Sequence, residues 1–284
     1  MPELPEVETM VRGLRPALQG RLVERMEVHD PFLLQGCDAT EFERRGRMVH
    51  VAEVARRGKW VAITLSDHRG MIVIQPRMTG GFWLVQPPRS EHIRLTFRLA
   101  KPEAMIWYCD TRRLGKIHWF ANAEQAAEAF ARSHGPDALE ITRNDLTARL
   151  RRTRRGIKPA LMDQKVLAGI GNIYADEILF AARIHPERNA SRLSRDELAR
   201  LHLAIGETLM TAIAAEGSSF DAGYRTVLGL EGGFLARNAT YGRAGEPCRR
   251  CGQPIEKTRI AGLIGRPTYF CPTCQPRRRP RGAS

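Results

Sequence analysis

Two cysteine pairs near the C-terminus restrict this chain more than any other feature: Cys248-x2-Cys251, nineteen residues, then Cys271-x2-Cys274. Each pair has the knuckle spacing that turns both sulfurs toward one ion, and two such pairs complete a tetrahedral Zn2+ site. A segment this short cannot bury a core of its own, so metal binding has to supply much of its folding free energy. With Cys in all four places no position is left for a water, and one structural Zn2+ holding a β-hairpin is expected. Two disulfides would instead require an oxidising compartment. The chain has no run of about 18 apolar residues, and its first residues lack the basic and apolar regions of a secretory signal. An intracellular, cytoplasmic location is therefore expected, with Cys37 and Cys109 as small buried apolar residues.

Periodicity divides the rest of the 284 residues, a length that favours more than one core. Pro5 suits a first helical turn, and Val7, Met10, Val11 and Leu14 follow at helical spacing. From about residue 21 to 120 the text changes to short runs of period two, such as Ile93, Leu95, Phe97 and Leu99, which predicts a β-sandwich. Beyond Asn122 the alternation gives way to helical text, including a capping box of Ser194 and Glu197 ahead of the stripe Leu198, Leu201, Ile205, Leu209 and Ile213. The expected fold is α+β and multi-domain. Its parts are a β-sandwich domain with an N-terminal helix (1–135), a helical domain (136–240) with a long loop at 217–238, the four-Cys finger (241–275), and a disordered basic tail (276–284).

Lys and Arg exceed Asp and Glu by 45 to 31, a net charge of +14 that points to a polyanionic partner, although ribosomal or membrane-surface association would give the same excess. Arg259 and Arg266, between the Cys pairs, are placed to meet phosphate; solvation alone accounts for Arg259. The stretch Arg149 to Arg155 reads equally as nonspecific affinity or as a solvated helix end. HExxH, GxSxG and P-loop patterns are absent, which leaves zinc hydrolysis, α/β-hydrolase chemistry and nucleotide hydrolysis without support.

Initiator Met is ordinarily removed before a residue as small as Pro2, which would expose a secondary amine. An α-amino group has a pKa of about 7.7–8.0, so on the order of a tenth is nucleophilic at pH 7. Attack on a sugar C1′ would give an iminium that has no N–H proton to lose, an electron sink that makes phosphate elimination accessible. Glu3 beside it can protonate the ring oxygen and shuttle protons. Equally, Glu3, Glu6 and Glu8 can be acidic residues stabilising a helix N-terminus.

Three ordered motifs carry a resemblance over residues 1 to about 275: the start MPELPEVET, the segment Lys158-Pro159-Ala160-Leu161-Met162-Asp163-Gln164 running into Gly169-Ile170-Gly171-Asn172-Ile173-Tyr174, and the four-Cys module. Together they resemble the formamidopyrimidine-DNA glycosylase family, with Leu4 like the glycosylase branch rather than the endonuclease VIII branch. The resemblance implies a helix-two-turn-helix element in the helical domain, and base excision repair by a bifunctional glycosylase and apurinic/apyrimidinic lyase. Its substrates would be oxidised purines, 8-oxoguanine and formamidopyrimidines, in double-stranded DNA with damaged bases or abasic sites, handled by a monomer.

Residue by residue, Pro2 matches the nucleophile, Glu3 the acid/base, and Lys59, in the turn Arg56 to Lys59, a phosphate-binding lysine that assists the chemistry. Arg266 matches a finger arginine gripping phosphate near the flipped nucleotide. Lys158 and Asn172 match phosphate contacts, and His92 a histidine facing the backbone, where a lone His is otherwise an ordinary core or surface residue. Met78, Arg112 and Leu114 match side chains that fill the stack after base extrusion, Arg112 also donating to the widowed cytosine. Leu114 stands where Phe is usual, Arg77 replaces a usual Gly, and 217–238 matches the lesion-covering loop loosely. These departures motivate a shifted preference, toward oxidised pyrimidines or crosslinks, as one alternative. A non-catalytic binder of damaged DNA is the other.

Overall fold

The computed structural model describes residues 2–219 and 223–277; Met1, the loop residues 220–222 and the arginine-rich tail beyond 277 lie outside the described residues. Two compact units result: the chain up to Ser133 together with Ala212–Leu235, and His134–Thr211 together with the chain from Ala236 on.

The first unit opens with α1 (Leu4–Leu18), whose expected stripe is fully inside: Val7, Met10, Val11 and Leu14 are all 0% exposed. The strands follow as β1 (Leu22–Val28), β2 (Leu34–Gln35), β3 (Val49–Arg57), β4 (Trp60–Leu65), β5 (Met71–Gln75), β6 (Gly80–Trp83), β7 (Ile93–Leu99), β8 (Ala104–Asp110) and β9 (Lys116–Phe120), with α2 (Ala39–Arg45) after β2 and α3 (Ala123–Ser133) after β9. They form one ladder in the order β2-β9-β5-β4-β3-β1-β7-β8-β6. Its two halves join through β1 and β3, where register shifts at Val23/Arg25 and Val51/Glu53 mark bulges of the kind that bend strands. Val54, Ile63 and Ile74 of one half share a core with Phe82, Leu95 and Phe97 of the other and with α1. The alternating burial of β4 is the period two that its sequence announces.

The long loop departs from expectation. Its 217–235 portion belongs to the first unit rather than to the helical domain, because Ser218 bonds to Glu6 of α1 and Tyr224 and Val227 join the sheet core. The described residues on either side of 220–222 are thus anchored by contacts to other elements, the Ser218 N–H on Glu6 and the Leu84 N–H on Val227 O among them.

The second unit contains α4 (Arg143–Arg151), α5 (Ile157–Met162), α6 (Asn172–Ala182) and most of α7 (Arg195–Ala214), followed by the two-stranded hairpin of β10 (Glu256–Thr258) and β11 (Thr268–Phe270). The capping box ahead of α7 is present: Ser194 N–H donates to Glu197 Oε2 at 2.6 Å and Glu197 N–H to Ser194 Oγ at 3.2 Å. The link between α5 and α6 is closed by Gln164, whose amide donates to Met162 O at 2.9 Å and Ile170 O at 2.8 Å while its Oε1 accepts the Gly169 N–H at 2.9 Å. Gly169 has φ +113°, a conformation an L side chain avoids. Among the described residues no helix is long and apolar enough to cross a membrane.

Candidate active site and nucleic-acid interface

Pro2 and Glu3 sit buried at the head of α1. Glu3 is the N-cap: its carboxylate accepts a first-turn N–H, and Glu6 Oε2 accepts the Glu3 N–H at 2.8 Å, a reciprocal capping box. The helix-terminus role and the proposed acid/base role thus fall on one carboxyl group. Glu6 Oε1 also accepts the Ser218 N–H at 2.7 Å, so a single buried carboxylate orients the head of α1 and the root of the long loop. A Cβ at Gly217 would stand 2.8 Å from Glu6, and its φ of +82° already excludes most side chains.

Lys59 is placed by a second relay from α1. Glu8 Oε2 accepts from Arg56 Nε at 2.8 Å, and Arg56 Nη1 donates to Gly58 O at 3.1 Å, which sets the turn that presents Lys59. Burial raises the Glu8 pKa, but the Arg56 and Arg12 guanidiniums more than reverse this and hold it below the usual carboxylate value.

Met78, Arg112 and Leu114 lie on two loops that share one anchor. Asp110, 0% exposed, accepts from Thr79 Oγ1 at 2.5 Å, from the Arg112 N–H at 3.2 Å and from the Gly115 N–H at 2.7 Å. Tyr108 presses its hydroxyl against the glycines of both loops: a Cβ would lie 2.4 Å from it at Gly80 and 2.2 Å at Gly115. Arg112 and Leu114 are exposed and Met78 is half-buried. A cavity of about 510 Å3 opens beside them, with Thr79, Trp83, His92, Thr111, Arg112 and Tyr224 among its walls, so His92 and Arg112 share a wall. Arg77 has φ +58°, the left-handed conformation that Gly would take without strain.

In the second unit the structure corrects the reading of Lys158 as a phosphate contact. Lys158 is 0% exposed; its ammonium pairs with Asp176 at 2.8 Å and donates to Pro267 O and Thr268 Oγ1, both at 3.0 Å. Burial pushes the Asp176 pKa up to about 7, with Lys158 and the Tyr269 N–H at 3.0 Å drawing it back. An ammonium enclosed in this way is an internal strut. Asn172, first residue of α6, donates its amide to the same Pro267 carbonyl at 3.1 Å. Lys158 and Asn172 thereby fix the residue after Arg266, and Arg266 itself stays exposed on the loop between β10 and β11. Of the basic stretch, Arg149 bonds to Lys165 O, Arg151 to Ser191 O and Leu193 O, and Arg155 to Asp163, so much of it braces the helical fold.

Four Sγ atoms, of Cys248, Cys251, Cys271 and Cys274, all lie within 4.8 Å of one another. Cys251 and Cys271 are 3.5 Å apart and Cys248 and Cys274 3.9 Å. Bonds of about 2.3 Å to a tetrahedral Zn2+ set sulfurs about 3.8 Å apart, so the cluster fits one ion with no coordination position left over. The Arg250 and Cys274 N–H groups donate to Cys248 Sγ and Cys271 Sγ at 3.4 Å, as knuckles do. Cys37 and Cys109 stand outside the cluster; burial raises the Cys109 pKa to about 12, in keeping with a packing role.

The family profile described as the formamidopyrimidine-DNA glycosylase N-terminal domain matches residues 1–117, that of the formamidopyrimidine-DNA glycosylase H2TH domain matches 134–222, and a zinc finger found in FPG and IleRS matches 245–277. The formamidopyrimidine-DNA glycosylase of Deinococcus radiodurans is 40% identical over the full length of both chains. That of Bacillus subtilis is 38% identical, covering 97% of this chain and 99% of its own. Among solved structures, MutM (Fpg) from Thermus thermophilus superposes with TM-score 0.84 at 37% identity, covering 96% of this chain and 98% of that one. Lactococcus lactis Fpg bound to DNA containing an abasic site gives 0.86 at 31% identity, covering 97% and 100%. The same enzyme bound to DNA containing an oxidised pyrimidine gives 0.85 at 32%, with the same coverage. With profiles across all three parts of the chain and full-length relatives at such identity, this protein belongs to the formamidopyrimidine-DNA glycosylase family.

Proposed function

We propose that the chain is a bifunctional DNA glycosylase and abasic-site lyase of base excision repair, acting in the cytoplasm on oxidised purines with Pro2 as nucleophile. The observation that carries this reading is the buried Pro2-Glu3 pair at the head of α1, oriented by Glu6. Burial disfavours the ammonium form of an amine, which raises the nucleophilic fraction once Met1 is removed. The Pro2 nitrogen attacks C1′ as the N-glycosidic bond breaks, its N–H proton passing to the departing base, and Glu3 then protonates the ring oxygen as the C1′–O4′ bond opens to leave the iminium. The resulting iminium accepts the electrons released when the C2′ proton is lost, expelling the 3′ phosphate, and a second elimination expels the 5′ phosphate.

Lys59 and Arg266 supply cations for the phosphates, and Asn172 and His92 further backbone contacts, while the zinc site keeps the Arg266 loop folded. Met78, Arg112 and Leu114 enter the stack when the damaged nucleotide leaves it. Leu114 is an aliphatic wedge, and DNA containing an oxidised pyrimidine is accommodated by the Lactococcus lactis enzyme, so a lesion range wider than purines is the second reading.

Borohydride reduction tests the chemistry: the processed protein should form a covalent adduct with abasic DNA, and Pro2→Gly should weaken it sharply. No adduct from wild type with Met1 confirmed absent would leave a damaged-DNA binder. A panel of lesion duplexes decides the substrate; cutting of thymine glycol equal to or better than that of 8-oxoguanine would overturn the purine choice.

A further inference from the structure

Among the described residues, Phe32 is the one aromatic side chain in the set of large apolar residues that face water, at 72% exposure. Single exposed apolar residues are ordinary. This one is fixed by hydrogen bonds and packing on both sides of it. It belongs to the 3-10 turn Pro31–Leu33: Leu33 is 0% exposed and pins the turn to the core, Asp30 accepts the Phe32 N–H at 3.3 Å, and the ring is left pointing outward.

Over the ring lies the guanidinium of Arg113, 5.3 Å from its centroid. That guanidinium makes a two-pronged bond to Asp30, Nε to Oδ2 at 2.6 Å and Nη2 to Oδ1 at 2.9 Å, with Arg94 3.8 Å from the same carboxylate. Burial raises the Asp30 pKa and Arg113 outweighs it, leaving the carboxyl below its usual value, and Arg113 is raised in turn. Arg113 also has φ +55°, so the loop adopts a strained conformation that the Asp30 bond helps hold.

Arg113 is the residue between Arg112 and Leu114. The clamp on Phe32 and the loop that would fill the emptied stack are therefore one piece of backbone. An aromatic face beside a guanidinium is the arrangement on which nucleobases stack in single-stranded binders. Leu114 offers no such face. The flanking Arg112 and Arg113 suit the charge of a DNA strand.

We propose that Phe32, clamped by Arg113 and Asp30, is a stacking platform for a base of the undamaged strand next to the orphaned one, and so a positioning residue for excision. This rests on the reading that Arg112 and Leu114 enter the duplex. The platform acts only where a second strand must be held, so its loss affects duplex substrates and spares an abasic site in single-stranded DNA, which needs no extrusion.

Three proteins decide it: wild type, Phe32→Ala and Phe32→Trp, each with unchanged urea unfolding midpoint. Phe32→Ala should lower kcat/KM on a lesion duplex about tenfold, the size expected for loss of one base–aromatic contact, mostly through KM. Adduct formation on single-stranded abasic DNA should be unchanged, and Phe32→Trp should retain duplex activity. Independently of chemistry, 2-aminopurine beside the orphaned position should be quenched on binding by wild type and Phe32→Trp but not by Phe32→Ala. Equal quenching by all three, undiminished duplex activity in Phe32→Ala, or an equal loss on both substrates would overturn the proposal. Wild type that quenches but forms no adduct would remove the lyase reading and leave the platform standing.

Discussion

Glu6 is the residue on which the head of α1 depends most, since one buried carboxylate accepts the N–H groups of Glu3 and Ser218. Replacing it with Ala orphans both donors, and each unmet buried group costs about 1–3 kcal/mol. Glu6→Ala should therefore lose roughly 2–6 kcal/mol in urea unfolding, with Glu6→Gln losing less because one acceptor oxygen remains. Nothing in the local text separates this residue from Glu3 and Glu8, which share its charge and its helix. The same holds for Asp30 and Asp110: their partners Arg113 and Thr79 are distant in sequence, so no spacing rule exposes them. The cysteines were legible for the opposite reason, because a knuckle is a local object whose two ligands are three residues apart.

At the scale of elements, α5, α6 and the hairpin of β10 and β11 are bound by a polar knot of Lys158, Asp176, Asn172 and Thr268 around the Pro267 carbonyl. Lys158→Met would strand a buried carboxylate, and breaking one side of such a pair costs about 3–5 kcal/mol. Lys158→Met combined with Asp176→Leu should recover much of that loss, as thermal unfolding of the zinc-loaded protein would record. Chelation of the metal should melt the hairpin and abolish duplex binding while leaving the β-rich circular dichroism of the first unit. The stripes of α1 and α7 and the capping box of Ser194 and Glu197 were readable from periodicity. The role of Lys158 was not: a lysine in a polar motif reads as a surface cation until Thr268, far along the chain, is seen to close over it.

For the molecule as a whole, stability should fall on the acid side with a definite sign. Arginines hold Glu8, Asp30 and Asp163 below their unfolded pKa values, so the stability they contribute is complete above the unfolded values and is lost as pH drops through the lowered ones. Asp176, raised to about 7, acts oppositely: the folded state binds its proton first, so stability declines as pH rises from its unfolded value toward 7. Urea midpoints should thus drop steeply below about pH 4, the unfolded carboxylate range, and Arg113→Gln should make that drop shallower. The strand content of the first unit could be read from alternation, but the joining of its halves into one ladder through β1 and β3 could not, because alternation shows which face of a strand is buried and not which strand it pairs with. That unit also carries Asp110, the common tether of the Met78 and Arg112 loops. Two fingertips on one tendon cannot search a groove separately, so their entry into DNA should register as a single kinetic phase, and Asp110→Ala, which removes the oxygen that holds both loops, should split it in two.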